Sequence, residues 1–546
     1  MGGDALTTGF RRAPALAALA ILLSPAIAFS AVPLVRLLAS AAVEGASARA
    51  YFSGRSLETL ANTVVLAAAT AAVASVLGCV TGLVLGIAEW RGRGFFRLLL
   101  LVPLAIPPYL HGIGWTQFLR PNGPVARAIA DIFGCAPTLP SASIQSLPGA
   151  VAILSLAYFP LVALFTEKAL TLAPRSLPEA AQVFGASRWQ LFRHVYWPCV
   201  RSSVLSGAAI VALLTASEMG VPALLKVRVF SFEILTQLAA FNDVAGAAML
   251  TAPLLALGFI ALRLAPFLVN IDVPDDSADG FLPFPAVSAA AWWRRAAFMT
   301  ALAFVACVLP LGTIVAGAFD REAWGAMVPV AARPAMQSLS YAGIAAIAAT
   351  SIALGLGAAM RSAGHRTTSA IQSILLIGFS VPGAMLGLAL ISLYGGSEWI
   401  GGSLLATAAL IVRFQIAAYY AIAASMRQVP PSLLEAAALD GAGPWRRFIS
   451  VELPLIRVPI VMTISCVFIL GQADMGSVIL LYPPGGETLM LALYSIEANS
   501  PRSYVAVLTL LSAALATFPV LLSGLAVKTM RQWHARQPTA GTGGSP

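Results

Sequence analysis

Two carboxylates and one guanidinium stand inside long apolar runs: Glu218 in TASEMGVPALL, Asp474 in GQADMGSVILL and Arg413 in LIVRFQIAAYY. An ionisable group in hydrocarbon is costly, so it faces a bundle interior or a water-filled path, or it pairs with another charge or with backbone. Glu218 and Asp474 lie 256 positions apart in similar surroundings. Such a repeated acidic pair could line a solute path or its gate, or hold local backbone or an arginine. Arg413 could contact an anion or pair with Asp474, and pairing is the simpler reading. Bond-making chemistry finds little support elsewhere. The four histidines and five cysteines form no HxxxH or CxxC spacing, and neither a nucleophile elbow nor a close pair of catalytic carboxylates is present. No catalytic, metal-binding or cofactor-binding residue is therefore expected.

A second repeat has the same offset. APRSLPEAAQVFGASRWQLFRHVYWP at 173–198 aligns with VPPSLLEAAALDGAGPWRRFISVELP at 429–454. The alignment pairs Glu179, Ala180 and Ala181 with Glu435, Ala436 and Ala437, Gly185 with Gly441, Trp189 with Trp445, and Pro198 with Pro454. These are polar connecting segments, so hydropathy alone does not explain the matches, and the chain is read as an internal duplication. Ser176 with Glu179 and Ser432 with Glu435 have the spacing of a capping box that would start a helix in each loop. Gly185 and Gly441 would then turn the chain into a second short helix. That helix places Trp189 with Phe192, or Trp445 with Phe448, on one face beside Arg188, Arg193, Arg446 and Arg447. Such an aromatic and basic surface suits a protein partner, or packing against spans at the membrane interface.

The doubled EAA segment, with its glycine and closing proline, resembles the EAA loop of permeases of binding-protein-dependent ABC importers. Nearly the whole chain shares in the resemblance, each half looking like one permease module. The resemblance implies an all-α polytopic fold of two type I modules, each loop docking on one of two copies of a cytoplasmic ATPase. Glu179, Ala180, Ala181, Gly185, Trp189, Pro198, Glu435, Ala436, Ala437, Gly441, Trp445 and Pro454 would be the coupling residues. It further implies a periplasmic or extracellular solute-binding protein as partner, a bacterial inner membrane location, and no enzymatic activity in this chain. In agreement, the sequence has no GxxxxGK[ST] and only three lysines, Lys168, Lys226 and Lys528, so ATP would be bound by the partner subunit. Fusion of two modules, and the acidic stretches around Glu218 and Asp474, resemble ferric iron permeases first, although Met219 and Met475 replace the usual Phe. Thiamine, phosphonate and polyamine permeases are the alternatives.

The elements that would position these residues are membrane spans. The 546 residues are 59% hydrophobic and 10% charged, against roughly a quarter charged in ordinary globular domains. Apolar stretches long enough to span recur near 13–38, 59–88, 96–119, 148–172, 200–224 and 244–268, then near 292–318, 338–360, 369–394, 403–425, 456–481 and 503–527. The first follows Arg11 and Arg12 as a signal peptide would, but its length favours an uncleaved span. Asp272, Pro274, Asp275, Asp276, Asp279, Pro283 and Pro285 mark a linker. The division is thus a first module over 1–269, a cytoplasmic linker over 270–291, a second module over 292–530 and a flexible tail over 531–546. With both termini cytoplasmic, about two thirds of the cations fall on the cytoplasmic side. The net charge of +10 is thereby assigned to loops beside the bilayer rather than to nucleic acid. Six spans per half make the repeats parallel. Twelve spans in two halves also describe secondary transporters, which have no need of duplicated docking loops. Gly78, Gly82 and Gly86 predict a close helix contact, Pro103, Pro107, Pro108 and Pro382 predict kinked third spans, and Ser56 aligned with Ser338 puts about 26 extra residues in the first half, mostly in an outward loop over 120–147.

Overall fold

The computed structural model describes residues 19–43, 54–121, 123–134, 144–173, 176–264, 288–360, 364–397 and 400–536. Most of the expected linker, the start of the first apolar stretch and the last ten residues of the tail lie outside them. Every regular element among the described residues is a helix. In hydrocarbon a helix satisfies its own N–H and C=O groups, which an open strand cannot do. Eight helices are long and apolar enough to cross a bilayer, and eleven spans result if each of three bent pairs counts as one. The protein is an all-α polytopic membrane protein.

The first module comprises α1 (Leu19–Ser40), α2 (Gly54–Gly86), α3 (Arg93–Ala105), α4 (Pro108–Phe118), α5 (Pro124–Phe133) and α6 (Leu147–Leu172). The loop helices α7 (Ser176–Val183) and α8 (Arg188–Leu191) follow, then α9 (Trp197–Ser217), α10 (Gly220–Leu224), α11 (Phe230–Phe241) and α12 (Val244–Leu264). The second module repeats the order: α13 (Ala289–Gly317), α14 (Arg321–Met360), α15 (His365–Ser380), α16 (Gly383–Tyr394), α17 (Gly402–Arg427), α18 (Pro431–Leu439), α19 (Pro444–Arg447), α20 (Arg457–Ala473), α21 (Met475–Val478), α22 (Leu489–Glu497) and α23 (Arg502–Arg536). Helix α23 runs on through Arg536, beyond the expected start of the tail.

Glycine sets the tightest contact in the first module. A Cβ on Gly78, Gly82 or Gly86 would stand 2.5–2.6 Å from Val162, Thr166 or Leu170, so α2 lies against α6 only because these positions lack side chains. The third spans break as the prolines predict, by 90° between α3 and α4 and by 100° between α15 and α16. Pro107 and Pro382 cap the second arm in matching extended conformations. In the first module the break is repaired locally. Pro107 has no N–H to offer the Pro103 carbonyl four residues back, and buried His111 lies with Nε2 3.1 Å from that oxygen.

The first span of each module packs on the other module. Leu19, Leu23, Leu34 and Leu37 of α1 belong to a core built mainly from second-module helices, and the Tyr394 hydroxyl donates to the Ala28 carbonyl at 2.9 Å. Reciprocally, Ala296, Met299 and Cys307 of α13 lie in the first-module core, where the Trp292 indole N–H donates to the Arg91 carbonyl at 2.8 Å.

The register of the repeat needs one correction. Thr63, rather than Ser56, is the structural match of Ser338: their hydroxyls accept the N–H of Phe230 and Leu489, the first residues of α11 and α22, both at 2.8 Å. Thr63 and Ser338 are 275 apart, as are Pro107 and Pro382, while everything from α6 to α10 keeps the offset of 256. The first half therefore holds 19 extra residues up to its EAA segment, rather than 26. They fall between the third and fourth spans, where α5 has no counterpart.

Candidate functional sites

Each EAA segment folds as helix, turn and short helix. Helices α7 and α18 end in the same Schellman turn. The N–H of Ala186 donates to Ala181 O and that of Gly185 to Gln182 O, at 3.0 and 2.9 Å. The N–H groups of Ala442 and Gly441 donate likewise to Ala437 O and Ala438 O, at 2.9 and 3.0 Å. Gly185 and Gly441 take φ of +76° and +80°, the left-handed region the turn requires.

The capping box expected at Ser432 is not where the serine suggested, while the side chain of Ser176 lies outside the described residues. Helix α18 begins at Pro431 with Pro430 as its N-cap and no side-chain cap, which leaves Ser432 inside the first turn. Proline is favoured at that first position because the N–H it lacks has no helical partner. A reciprocal capping box does form in the first loop, one helix later. The Gln190 N–H donates to Ser187 Oγ at 3.3 Å, and the Ser187 N–H to Gln190 Oε1 at 2.7 Å. The matching N-cap in the second loop is Gly443, followed by Pro444.

The aromatic pairs stack, Trp189 on Phe192 with centroids 5.6 Å apart and Trp445 on Phe448 at 5.8 Å. Trp189 is 64% and Trp445 72% exposed, and Leu177, Val183 and Phe184, or Leu433 and Leu439, are exposed beside them. Glu179, Ala180, Glu435 and Ala436 are exposed as well. Each loop thus presents a contiguous apolar and aromatic surface of the kind that marks a protein interface.

The closing prolines also gain a physical role. Phe192–Tyr196 and Phe448–Glu452 are single π-helical turns, with the N–H of Trp197 and Leu453 reaching back five residues to Phe192 O and Phe448 O. Pro198 and Pro454 follow directly. A proline has no N–H for the carbonyl four residues back and crowds it, so the turn widens just ahead of the ring. Ile27–Ala31 before Pro33 and Phe304–Val308 before Pro310 repeat the device in α1 and α13.

A cluster that sequence reasoning did not single out ties α6 to α3 in the first module. Buried Glu167, near the end of α6, accepts from Arg93 at 3.0 Å and makes a short two-oxygen contact with Arg97. The position 256 further on is Ala423, so the repeat carried no signal for it.

Glu218 and Asp474 each end a fifth span and hold the backbone that follows. Glu218 Oε1 accepts from the N–H of Gly220 at 3.0 Å and of Val221 at 3.4 Å. Asp474 Oδ1 accepts from the Ser477 N–H at 3.2 Å, and its Oδ2 accepts from the Ser477 hydroxyl. Arg413 joins them: its Nε lies 3.1 Å from Asp474 Oδ2, at ion-pair distance without hydrogen-bond alignment, and its Nη1 donates to the Val381 carbonyl at 3.2 Å. That carbonyl stands at the break of the third span, where no helix N–H serves it. Arg413 and Asp474 therefore pair. The residue matching Arg413 in the first module is Ala157. Glu218, Asp474, Arg413 and Tyr158 are close enough to interact electrostatically. Among the described residues no group of three or more His, Cys, Asp or Glu could hold a metal ion.

A model of the family described as "Binding-protein-dependent transport system inner membrane component" matches the chain twice, over 74–270 and 351–532. The chain is 21% identical over 497 residues to the Fe(3+)-transport system permease protein FbpB 2 of Haemophilus influenzae, covering 88% of this chain and 91% of the relative. It is 22% identical over 213 residues to the putative 2-aminoethylphosphonate transport system permease protein PhnV of Salmonella paratyphi A, covering 38% of this chain and 77% of that protein. It is also 26% identical over 173 residues to the trimethylamine N-oxide transport system permease protein TmoV of Ruegeria pomeroyi, covering 31% of this chain and 23% of that one.

Proposed function

The chain belongs to the family of inner membrane components of binding-protein-dependent transport systems, and from this we propose that it is the transmembrane permease subunit of an ABC importer, with two modules in one chain and both termini cytoplasmic. The observation that carries the reading is the pair of exposed loops with one shared geometry, at Glu179–Pro198 and Glu435–Pro454. Two equal surfaces suit two copies of one cytoplasmic ATPase, each receiving a glycine-terminated helix and an aromatic pair. The ATPases bind and hydrolyse ATP, and this chain needs no cofactor of its own. The outward loop with α5 takes part in receiving a solute-binding protein, and its presence in one module only gives that partner a single orientation.

Ferric iron is the proposed cargo. Supporting it are the match over 91% of FbpB 2, which spans both modules, and the surplus of acid over base near the module interface, where Arg413 is committed to Asp474. A phosphonate is the second reading, favoured by the PhnV match. Reconstitution in vesicles with the ATPase and the binding protein tests both levels. Uptake is expected only with ATP inside and both partners present, and for radiolabelled iron rather than 2-aminoethylphosphonate. Uptake by the chain alone along an ion gradient would refute the importer reading, and phosphonate uptake would refute iron.

A further inference from the structure

The repeated acidic residues are each followed by Met and Gly, and these four residues meet across the two modules. A Cβ built on Gly220 would lie 2.9 Å from Met475 Cε, and one built on Gly476 would lie 3.5 Å from Met219 Sδ. Each methionine is seated on the glycine beside its counterpart, an exchange that follows the relation between the modules. Met219 is 2% and Met475 4% exposed, so both lie buried at the crossing.

The surroundings make this crossing thin and well braced. Glu218 and Asp474 fix the short segments that carry the four residues by accepting N–H groups just beyond them. Behind each segment lies the second arm of a broken third span, applied through glycine: Gly112 against Leu224 in one module, Gly387 against Leu480 in the other. Tyr109 closes one side, its Cδ2 3.0 Å from the same Gly220 Cβ position. The methionine side chains reach across to the other module's glycine, and these are unbranched and easily rearranged.

We propose that Met219 and Met475, each resting on the other module's glycine, are the gate that closes the translocation path. A Cβ on Gly220 would crowd the Met475 tip at 2.9 Å and one on Gly476 would only touch Met219 Sδ at 3.5 Å, so it is a branched side chain at either glycine that would hold the gate apart. The proposal rests on the chain being a transporter and assigns the position of its seal. A cysteine-free background carrying Met219→Cys and Met475→Cys tests it with a short bifunctional thiol reagent. Bridging is expected without ATP, should lower uptake at least tenfold, and should be reversed by reduction. It should fall about tenfold when ATP and vanadate trap the ATPases first. Unchanged uptake after bridging, or equal bridging in the trapped state, would overturn the gate. Gly220→Val and Gly476→Val give a second readout, an ATP-independent leak of small solutes raised several-fold, and sealed vesicles with normal uptake would count against the proposal. Where a valine variant fails to insert, the cysteine pair decides alone. Failure of the importer reading is recognised separately: wild-type uptake then needs no ATPase, while a bridged gate still blocks it.

Discussion

Replacing Gly185 and Gly441 isolates the backbone term in docking. Both sit at positive φ, +76° and +80°, and a Cβ built on either meets nothing within 4 Å. Space is therefore free and only the dihedral is penalised, by about 1 kcal/mol for an L-residue in the left-handed region. The penalty should be nearly the same for Ala and for Leu, and smaller for Asn, which tolerates that region. If the strained loop competes with other turn conformations, one substitution weakens ATPase docking by up to roughly fivefold, since about 1.4 kcal/mol is tenfold. The double alanine variant should lose up to about thirtyfold on the same scale. Binding of the purified ATPase to the permease in nanodiscs measures this directly, with ATP-driven uptake alongside. Normal docking and uptake in the double alanine variant would refute a need for the turn. A loss that grows with side-chain size from Ala to Leu would show that the Cβ faces a partner surface, and the argument from φ alone would fail.

Trp189→Ala or Trp445→Ala should cost 2 kcal/mol or more of ATPase binding, about thirtyfold in Kd, with thermal stability of the permease little changed, because an exposed aromatic anchor contributes mainly to the interface. Equal binding by both variants and wild type would remove the tryptophans from the docking surface. Asp474→Asn should destabilise the protein by about 3 kcal/mol by leaving buried Arg413 without its carboxylate, whereas the double variant Arg413→Met, Asp474→Leu should recover much of that loss in a denaturation assay. Glu218→Gln keeps an oxygen acceptor for Gly220 and Val221, so its stability should stay within about 1 kcal/mol of wild type while uptake of a cationic solute falls. Glu167→Ala should cost about 2 kcal/mol, mainly through Arg93, since Arg97 remains half in water, and a thermal-shift measurement with Glu167→Gln as the milder variant checks it.

The spans, the duplication and the glycine turns were legible because each rests on a local rule: apolar length, a repeated offset, a backbone angle that favours glycine. The breaks at Pro107 and Pro382 were legible for the same reason. The exchange of α1 and α13 between modules was not, since hydropathy says that a segment crosses the bilayer and is silent on which neighbours it meets. The Ser432 box was misplaced because S-x-x-E is equally at home one position inside a helix. Pro431 took the first helical position and pushed Ser432 past the cap. Ser56 was matched to Ser338 by residue type, while the match by role is Thr63, whose hydroxyl receives the start of α11 as Ser338 receives the start of α22. For the gate the signal was present: Met–Gly recurs at the same offset as the acids, but only the structure shows each Met lying on the opposite Gly.

The two halves agree most closely where they present a surface outward and differ where that surface is tied to the bundle. The docking loops share their turn angles, their Schellman bonds, their stacked aromatics and their π-helical turn. Beyond the turn they part. Arg188–Ser217 passes as one apolar helical stretch into the first module, while Pro444–Leu455 meets Arg457–Ala473 at 73°. Pro459 accounts for the difference, because its ring excludes the helical carbonyl of Leu455 and ends the preceding segment, whereas Ser203 at the matching position lets the helix run through. The Glu167 cluster, which ties α6 to α3, is likewise found in the first module alone. Duplicated segments that meet one kind of surface are held to one shape by that surface. The linkages behind them answer only to their own module, so the same push on both loops enters one module along a continuous helix and the other through a bend.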